Sequence, residues 1–350
     1  MKHRILFFVL MMLGGIAAHA QLTPDAEGNY LLGSPNDVMA FAALVNEGTV
    51  DAPAVVTADI DMTGQEWVGI SGYKGTFDGQ GHTISNLAGP LFLTTSDGVV
   101  IQNLTLAGSI TTAGEDAFGA FISTHSTGVF TATNCTNRTK VIAAAATNVG
   151  GLVGYLNPGD VSYITECKNE AEIIGLKTVG GLIGYFYYNN SGNALFVNDC
   201  SNTANVTSLT GAVGGIVGNA YGRLEASGGF NSGNISAEDG DDAGGFFGAA
   251  TRYLKSVSKF HNTGDITGNN AVGGIVGSNY NTSVTLYFYV DNCTNEGEIT
   301  ARVMFAGGMV GRARASSNYF YYTNNCNTGT VSGAHSAAIA GESRRGEYTN

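Results

Sequence analysis

The sequence predicts an all-β fold: a β-solenoid of roughly thirty-residue coils, preceded by a short helix. Three observations carry this. First, the hexapeptide Val149–Gly154 (VGGLVG) returns at Val179–Gly184, Val213–Gly218, Ala243–Gly248, Val272–Gly277 and Ala306–Gly311. Degenerate copies place the first-glycine slot at 89, 119 and 337 as well, so the period runs from 29 to 34 residues. A fixed period in this range marks stacked repeats. Second, the other half of each unit, as in Cys167–Ile173, Phe260–Ile266 and Cys293–Ile299, places Asn and often Gly ahead of an Ile or Val. Asn and Gly tolerate the left-handed backbone of a tight corner, and the β-branched residue opens the next strand. Third, helix signals are scarce through the repeats. Three short strands and turns per coil fit a solenoid whose rungs bond only to their neighbours.

Taken in order, Met1–Ala20 reads as a secretory signal peptide. Lys2, His3 and Arg4 form a basic start, Ile5 to Ala17 an apolar run, and Ala18-His19-Ala20 a cleavage site. The run is too short for a membrane span, and no other stretch is long and apolar enough. Gln21 follows the cut, so no cysteine is placed for lipidation. The mature chain is expected to be exported, with no transmembrane segment. Residues 21–87 hold an N-terminal cap and the first coils. Ser34-Pro35 starts a helix that sets Val38, Phe41, Ala42 and Val45 on one face and stops at Gly48. Such a helix can cover the unpaired end of a solenoid. Residues 88–341 form the repeat solenoid, and 342–350 read as a polar tail without strand pattern. The whole is one solenoid domain.

Charged residues are only 13% of the chain while apolar residues reach 43% and keep register with the repeat, which argues for an ordered core. A net charge of −12 disfavours nucleic acid and anionic membrane as partners. Five cysteines in an exported chain invite a disulfide reading, but they follow a slot. Successive units hold Leu104, Cys135, Cys167, Cys200, Gly229, Phe260, Cys293 and Asn325 there. Leu and Phe alternating with Cys imply an inward-facing stack of reduced thiols. Neighbouring rungs about 4.8 Å apart would also permit a Cys135–Cys167 or Cys167–Cys200 bridge. No CxxC or histidine partner points to a metal.

With Gly151-Leu152-Val153-Gly154 as its core, the repeat resembles the GLUG-motif family of bacterial, Bacteroidetes-like exported surface proteins. Trp67–Ile70 and Gly75–Leu87 are similar to the segment that commonly precedes such repeats. The resemblance covers roughly residues 30 to 341. It implies a right-handed parallel β-helix at or beyond the cell surface, and no activity. Adhesin-like chains carry the motif, as do chains with unrelated catalytic domains, whereas this sequence shows no appended catalytic or sorting domain.

Candidate sites are few. Asp78 and His82 lie on a glycine-rich turn, but no serine or cysteine motif completes a triad, so a structural corner is expected and no catalytic residue is assigned. Asp59 and Asp61 alternate along an apparent strand and could line a lyase groove, with Lys74 the nearest basic residue in sequence. Glu238-Asp239-Gly240-Asp241-Asp242 offers carboxylates for calcium without matching a known loop. Aromatic residues give the sharpest pattern. Four before the cysteine slot stand Tyr163, Phe196, Ser256, Tyr289 and Tyr321; six before it stand Val161, Ala194, Leu254, Tyr287 and Tyr319. Strand alternation sends Tyr287, Tyr289, Tyr319 and Tyr321 outward as a ladder, with Tyr163 and Phe196 as further candidate ligand-binding residues in the same slot. The adjacent apolar pairs, such as Leu152-Val153 and Phe246-Phe247, leave open whether one member faces out.

The functional expectation is an exported surface or secreted adhesin-like protein, binding a glycan (carbohydrate) or a host or bacterial surface protein through the tyrosine ladder. A polysaccharide-degrading, lyase-like β-helix enzyme and a structural spacer or assembly component are the alternatives. No cofactor other than calcium is suggested.

Overall fold

The computed structural model describes residues 22–114, 116–188, 194–253, 255–281, 287–315, 319–343 and 346–349; the expected signal peptide lies outside them. The chain winds about 8 turns of roughly 31 residues into a parallel β-solenoid with a single helix near its N-terminus. Sequence period and structural register coincide. Gly119, Gly150, Gly180, Gly214, Gly244, Gly273 and Gly307 pair in succession, and Ala337 ends the row.

Three sheets run along the solenoid. A pre-corner sheet of eight strands, from Ala117–Gly119 to His335–Ala337, carries the segments ahead of the Gly-Gly corner. A post-corner sheet of nine strands, from Phe92–Thr95 to Ala340–Ser343, carries those after it. A wide third sheet holds both sides of the cysteine slot. Between the first two sheets the chain bends at Gly151-Leu152 and its equivalents. This resets strand alternation, so Leu152 and Val153, Phe246 and Phe247, and Met309 and Val310 are all buried. No apolar stripe is left outside at the motif.

The expected helix forms as α1, Pro35–Asn46, with Ser34 accepting from the Asp37 N–H at 3.3 Å. Val38, Phe41, Ala42 and Val45 are buried, and Phe41 packs 5.9 Å from Tyr73 and 6.0 Å from Phe77. The helix thus joins its apolar face to the core of the first coils.

The structure corrects the role given to Asn. Asn137, Asn169, Asn202, Asn231, Asn262, Asn295 and Asn327 are not left-handed corners. They form a ladder in which each Nδ2 from Asn137 to Asn295 donates to the Oδ1 of the next rung at 2.7–2.8 Å. The same amide group donates to the carbonyl two residues on, at 2.7–3.1 Å. Left-handed backbone lies instead just before the cysteine slot, at Asn103, Asn134, Glu166, Asp199, Lys259, Asn292 and Asn324, with φ between 50 and 55°. The Gly-Gly pair makes room for the ladder. A Cβ on Gly151 would stand 2.4 Å from the Gly181 carbonyl oxygen and 2.8 Å from Asn169 Oδ1. Neither glycine of that pair has positive φ, so close approach is what excludes a side chain.

Cys135, Cys167, Cys200 and Cys293 are free and buried, in the inward slot. Each thiol lies 3.3–3.5 Å from the carbonyl oxygen two residues back. Burial pushes the Cys135, Cys200 and Cys293 thiols up, the last to about 12. Cys326 departs from the stack: Asn325 fills the slot and Cys326, one residue on, is exposed. Another surprise is Lys255, fully buried in the row of Leu224 and Phe288. Its Nζ donates to the carbonyls of Thr251 and Arg252, the latter in a left-handed turn, and burial pushes its pKa well down. The expected strandless tail is also corrected. Ala340–Ser343 and Gly346–Thr349 extend two sheets by another rung, and Arg312 Nε meets Glu342 Oε2 at 2.6 Å.

Candidate functional site

The wide sheet displays the expected aromatic ladder. Tyr287 and Tyr289 flank the inward Phe288, and Tyr319 and Tyr321 flank the inward Phe320. In one row the register runs Tyr163, Phe196, Glu225, Ser256, Tyr289, Tyr321. Glu225 and Ser256 therefore split the ladder into two patches. Tyr163 stacks on Phe196 at 5.4 Å and 14°. At the late rungs Tyr289 stacks on Tyr321 at 5.0 Å and 14°, beside Tyr287 on Tyr319 at 5.9 Å and 23°. Tyr287 and Tyr289 stay 43% and 37% exposed. Rings stacked at the rung spacing cover one another's faces, so edges and hydroxyls make up most of what a partner meets.

The acidic candidates are engaged in cross-rung bonding. Asp59 and Asp61 do share one exposed side, separated by the buried Ile60. Asp59 Oδ1 accepts from the Thr83 N–H at 2.9 Å and lies 3.3 Å from His82 Nδ1. These bonds, led by the one from Thr83, hold its carboxyl below the usual range. Asp61 accepts from Thr63 at 2.6 Å and from Asn86 at 2.9 Å. Asp78 takes Gln80, Gln102 and Asn103, so its carboxylate organises its own turn rather than orienting His82. The acidic run fans apart. Asp241 bonds Asn270, Asp242 Oδ2 accepts from Ser278 at 2.7 Å, and Glu238 and Asp239 are exposed. Burial raises the Asp242 carboxyl to about 7. Among the described residues no three His, Cys, Asp or Glu side chains converge as a metal set.

A second aromatic surface escaped the sequence reading. On the outer side of the post-corner sheet Tyr155 lies 5.8 Å from Tyr185, and Tyr187 stacks on Tyr221 at 5.0 Å and 13°. Arg252 sits over Tyr221 at 5.2 Å. All four tyrosines are half-buried, and burial, with the neighbouring phenols, pushes Tyr185 up to about 12. Tyr155 and Tyr185 each follow the last glycine of the hexapeptide, so counting forward from the motif would have found them. Farther along the same row Arg312 covers Phe305 at 4.8 Å.

No helix among the described residues is long and apolar enough to cross a membrane. No protein-family model matches the chain. Over 181 residues, 48% of its length, it is 29% identical to halomucin of Haloquadratum walsbyi (strain DSM 16790 / HBSQ001), of which it spans only 2%. Its fold is similar to the crystal structure of a candidate immunoglobulin A1 protease from Bacteroides ovatus. That match has a TM-score of 0.54 and 19% identity, and covers 69% of this chain and 78% of the other.

Proposed function

We propose that the chain is an exported surface or secreted binding protein of adhesin type, whose late-rung tyrosine face engages a glycan or a protein surface. One observation carries the reading: four tyrosines from two rungs, Tyr287, Tyr289, Tyr319 and Tyr321, are held in register on a flat outward face. A rigid sheet presents these rings at little entropic cost, and tyrosine is enriched where partners bind tightly. The local likeness to halomucin, by name a mucin, and the fold shared with the candidate protease support an extracellular setting. The cross-rung bonding of Asp59 and Asp61 favours binding over a lyase groove at that place.

Arrays of glycans and host-matrix proteins test the reading. Tyr289→Ala combined with Tyr321→Ala should abolish the strongest signal while leaving the thermal unfolding curve close to that of the parent. Binding that survives the double substitution would remove the assignment. Incubation with acidic and neutral polysaccharides, with and without calcium, tests the enzyme alternative; new reducing ends or unsaturated products would establish it.

A further inference from the structure

The post-corner sheet has one strand more than the pre-corner sheet, because Phe92–Thr95 has no pre-corner strand in its own coil. Where both sheets are present, they approach closely at the motif's last glycine: a Cβ on Gly154 would lie 2.4 Å from Phe118 N of the preceding coil. At the start of the pre-corner sheet that neighbour is missing. The equivalent slot there holds Ser123, with Leu93 one rung below. A cavity of about 520 Å³ opens at this place, lined by Thr94, Asp116, Ala117, Ser123 and Thr124 among others.

Thr94, Thr124, Tyr155 and Tyr185 form one outward row. Beyond the hydroxyl-lined cavity, which ends at Thr124, the row continues over the next two rungs with two half-buried phenols. Unlike the late-rung stacks, Tyr155 and Tyr185 are tilted by 57°. Tyr187 also packs 6.1 Å from Tyr185 at 55°, and both Tyr155 and Tyr185 stay half-buried, so a ligand would meet the part of each ring left exposed. No Lys or Arg is among the described residues lining the cavity, and Asp116 adds negative charge. An anionic ligand is disfavoured. The volume suits a small ligand or a short polymer segment. The post-corner strands here are paired on both sides, whereas Ala117–Gly119, the first strand of its sheet, pairs with the next rung alone. A peptide adding a strand to that edge is the competing occupant, and retardation in polysaccharide gels tests against it.

We propose that this corner groove, from Thr94 to Tyr185, binds a neutral oligosaccharide lying along the solenoid axis. Hydroxyls of Thr94, Ser123 and Thr124 and the Asp116 carboxylate exchange hydrogen bonds with its hydroxyls, and the tilted tyrosines pack on its sugar rings. The site is separate from the late-rung tyrosine face, so either can fail alone.

Affinity electrophoresis of the full chain through gels containing soluble glucan, mannan or xylan tests it, with polygalacturonate as the anionic control. At least one neutral polymer should retard the protein and polygalacturonate should not. Tyr155→Ala with Tyr185→Ala should weaken retardation roughly tenfold, and Thr124→Val, which keeps the side-chain shape, about threefold. The Tyr289→Ala, Tyr321→Ala pair should leave it unchanged. Absence of retardation by every neutral polymer, equal retardation by polygalacturonate, or loss in the late-rung pair would overturn the proposal. Should the Tyr155, Tyr185 pair not fold, Thr124→Val decides: unchanged retardation would refute the site.

Discussion

The first coils and the later ones stack with the same parallel register, yet different interactions hold them. Near the N-terminus the core is aromatic: Phe41, Tyr73, Phe77 and Phe92 pack at 4.9–6.5 Å, mostly edge to face. The row that later becomes the Asn ladder is apolar there, running Ile60, Ile84, Leu106 before Asn137. From Asn137 onward that row consists of hydrogen-bonded amides set against paired glycines, while buried rings such as Phe246, Phe247 and Phe260 still fill the core beside it. A chain end must bury surface against something unlike itself, here α1, and large rings fill that irregular space. A middle coil meets a copy of itself, so a directional ladder that repeats from rung to rung is enough.

The contrast can be broken most forcefully at Phe77. Phe77→Ala should cost about 3–5 kcal/mol, as for a fully buried ring, and the loss should appear in urea unfolding as early melting of the first coils alone. Asn231→Ala attacks the other regime. It orphans the buried amide of Asn202 and the Oδ1 of Asn262, at roughly 1–3 kcal/mol for each unmet group. Stability here is a sum over neighbouring rungs, so this change should also broaden unfolding or split it into two steps. A single sharp transition would show that the ladder does not couple the halves.

Titration separates the regions with opposite signs. His125, buried among the early coils, is held down to about 4 by desolvation, against an ordinary 6.5. Its neutral form stabilises the fold above pH 6.5, and this is lost as pH falls toward 4; His125→Gln should flatten that acid limb. Asp242, among the later coils, is raised to about 7 from 3.8. Its contribution is whole below pH 3.8 and lost as pH rises to 7, and Asp242→Asn should remove that decline. Each effect is about 2–4 kcal/mol at most, read from unfolding at stepped pH. The smallest effect belongs to Cys326→Ser, which should stay within about 0.5 kcal/mol because the thiol is exposed. Cys167→Ser puts a more polar group in the buried slot and should cost more.

Much of this was legible in one dimension. The glycine count set the rungs, helical spacing found α1 with its four buried residues, and alternation sent Tyr287, Tyr289, Tyr319 and Tyr321 outward and Cys135, Cys167, Cys200 and Cys293 inward. These features were readable because each depends on periodicity within one strand or helix, or on equivalent slots in successive units. What stayed hidden depends on segments of different strands meeting across a corner. Turn propensity alone could not tell that Asn169 faces the second glycine of the motif instead of forming the corner. Nor could it place Lys255 in an apolar row, or show that Ser123 stands where a strand is missing.

By itself, then, the sequence determined the repeat, the register, the buried face of α1 and the directions of the tyrosine and cysteine slots, because these follow from local spacing. Only the tertiary structure decided the ladder, the depth of the corner groove and the partners of each carboxylate. Those depend on how far apart the bends hold the sheets, and no single repeat encodes that distance.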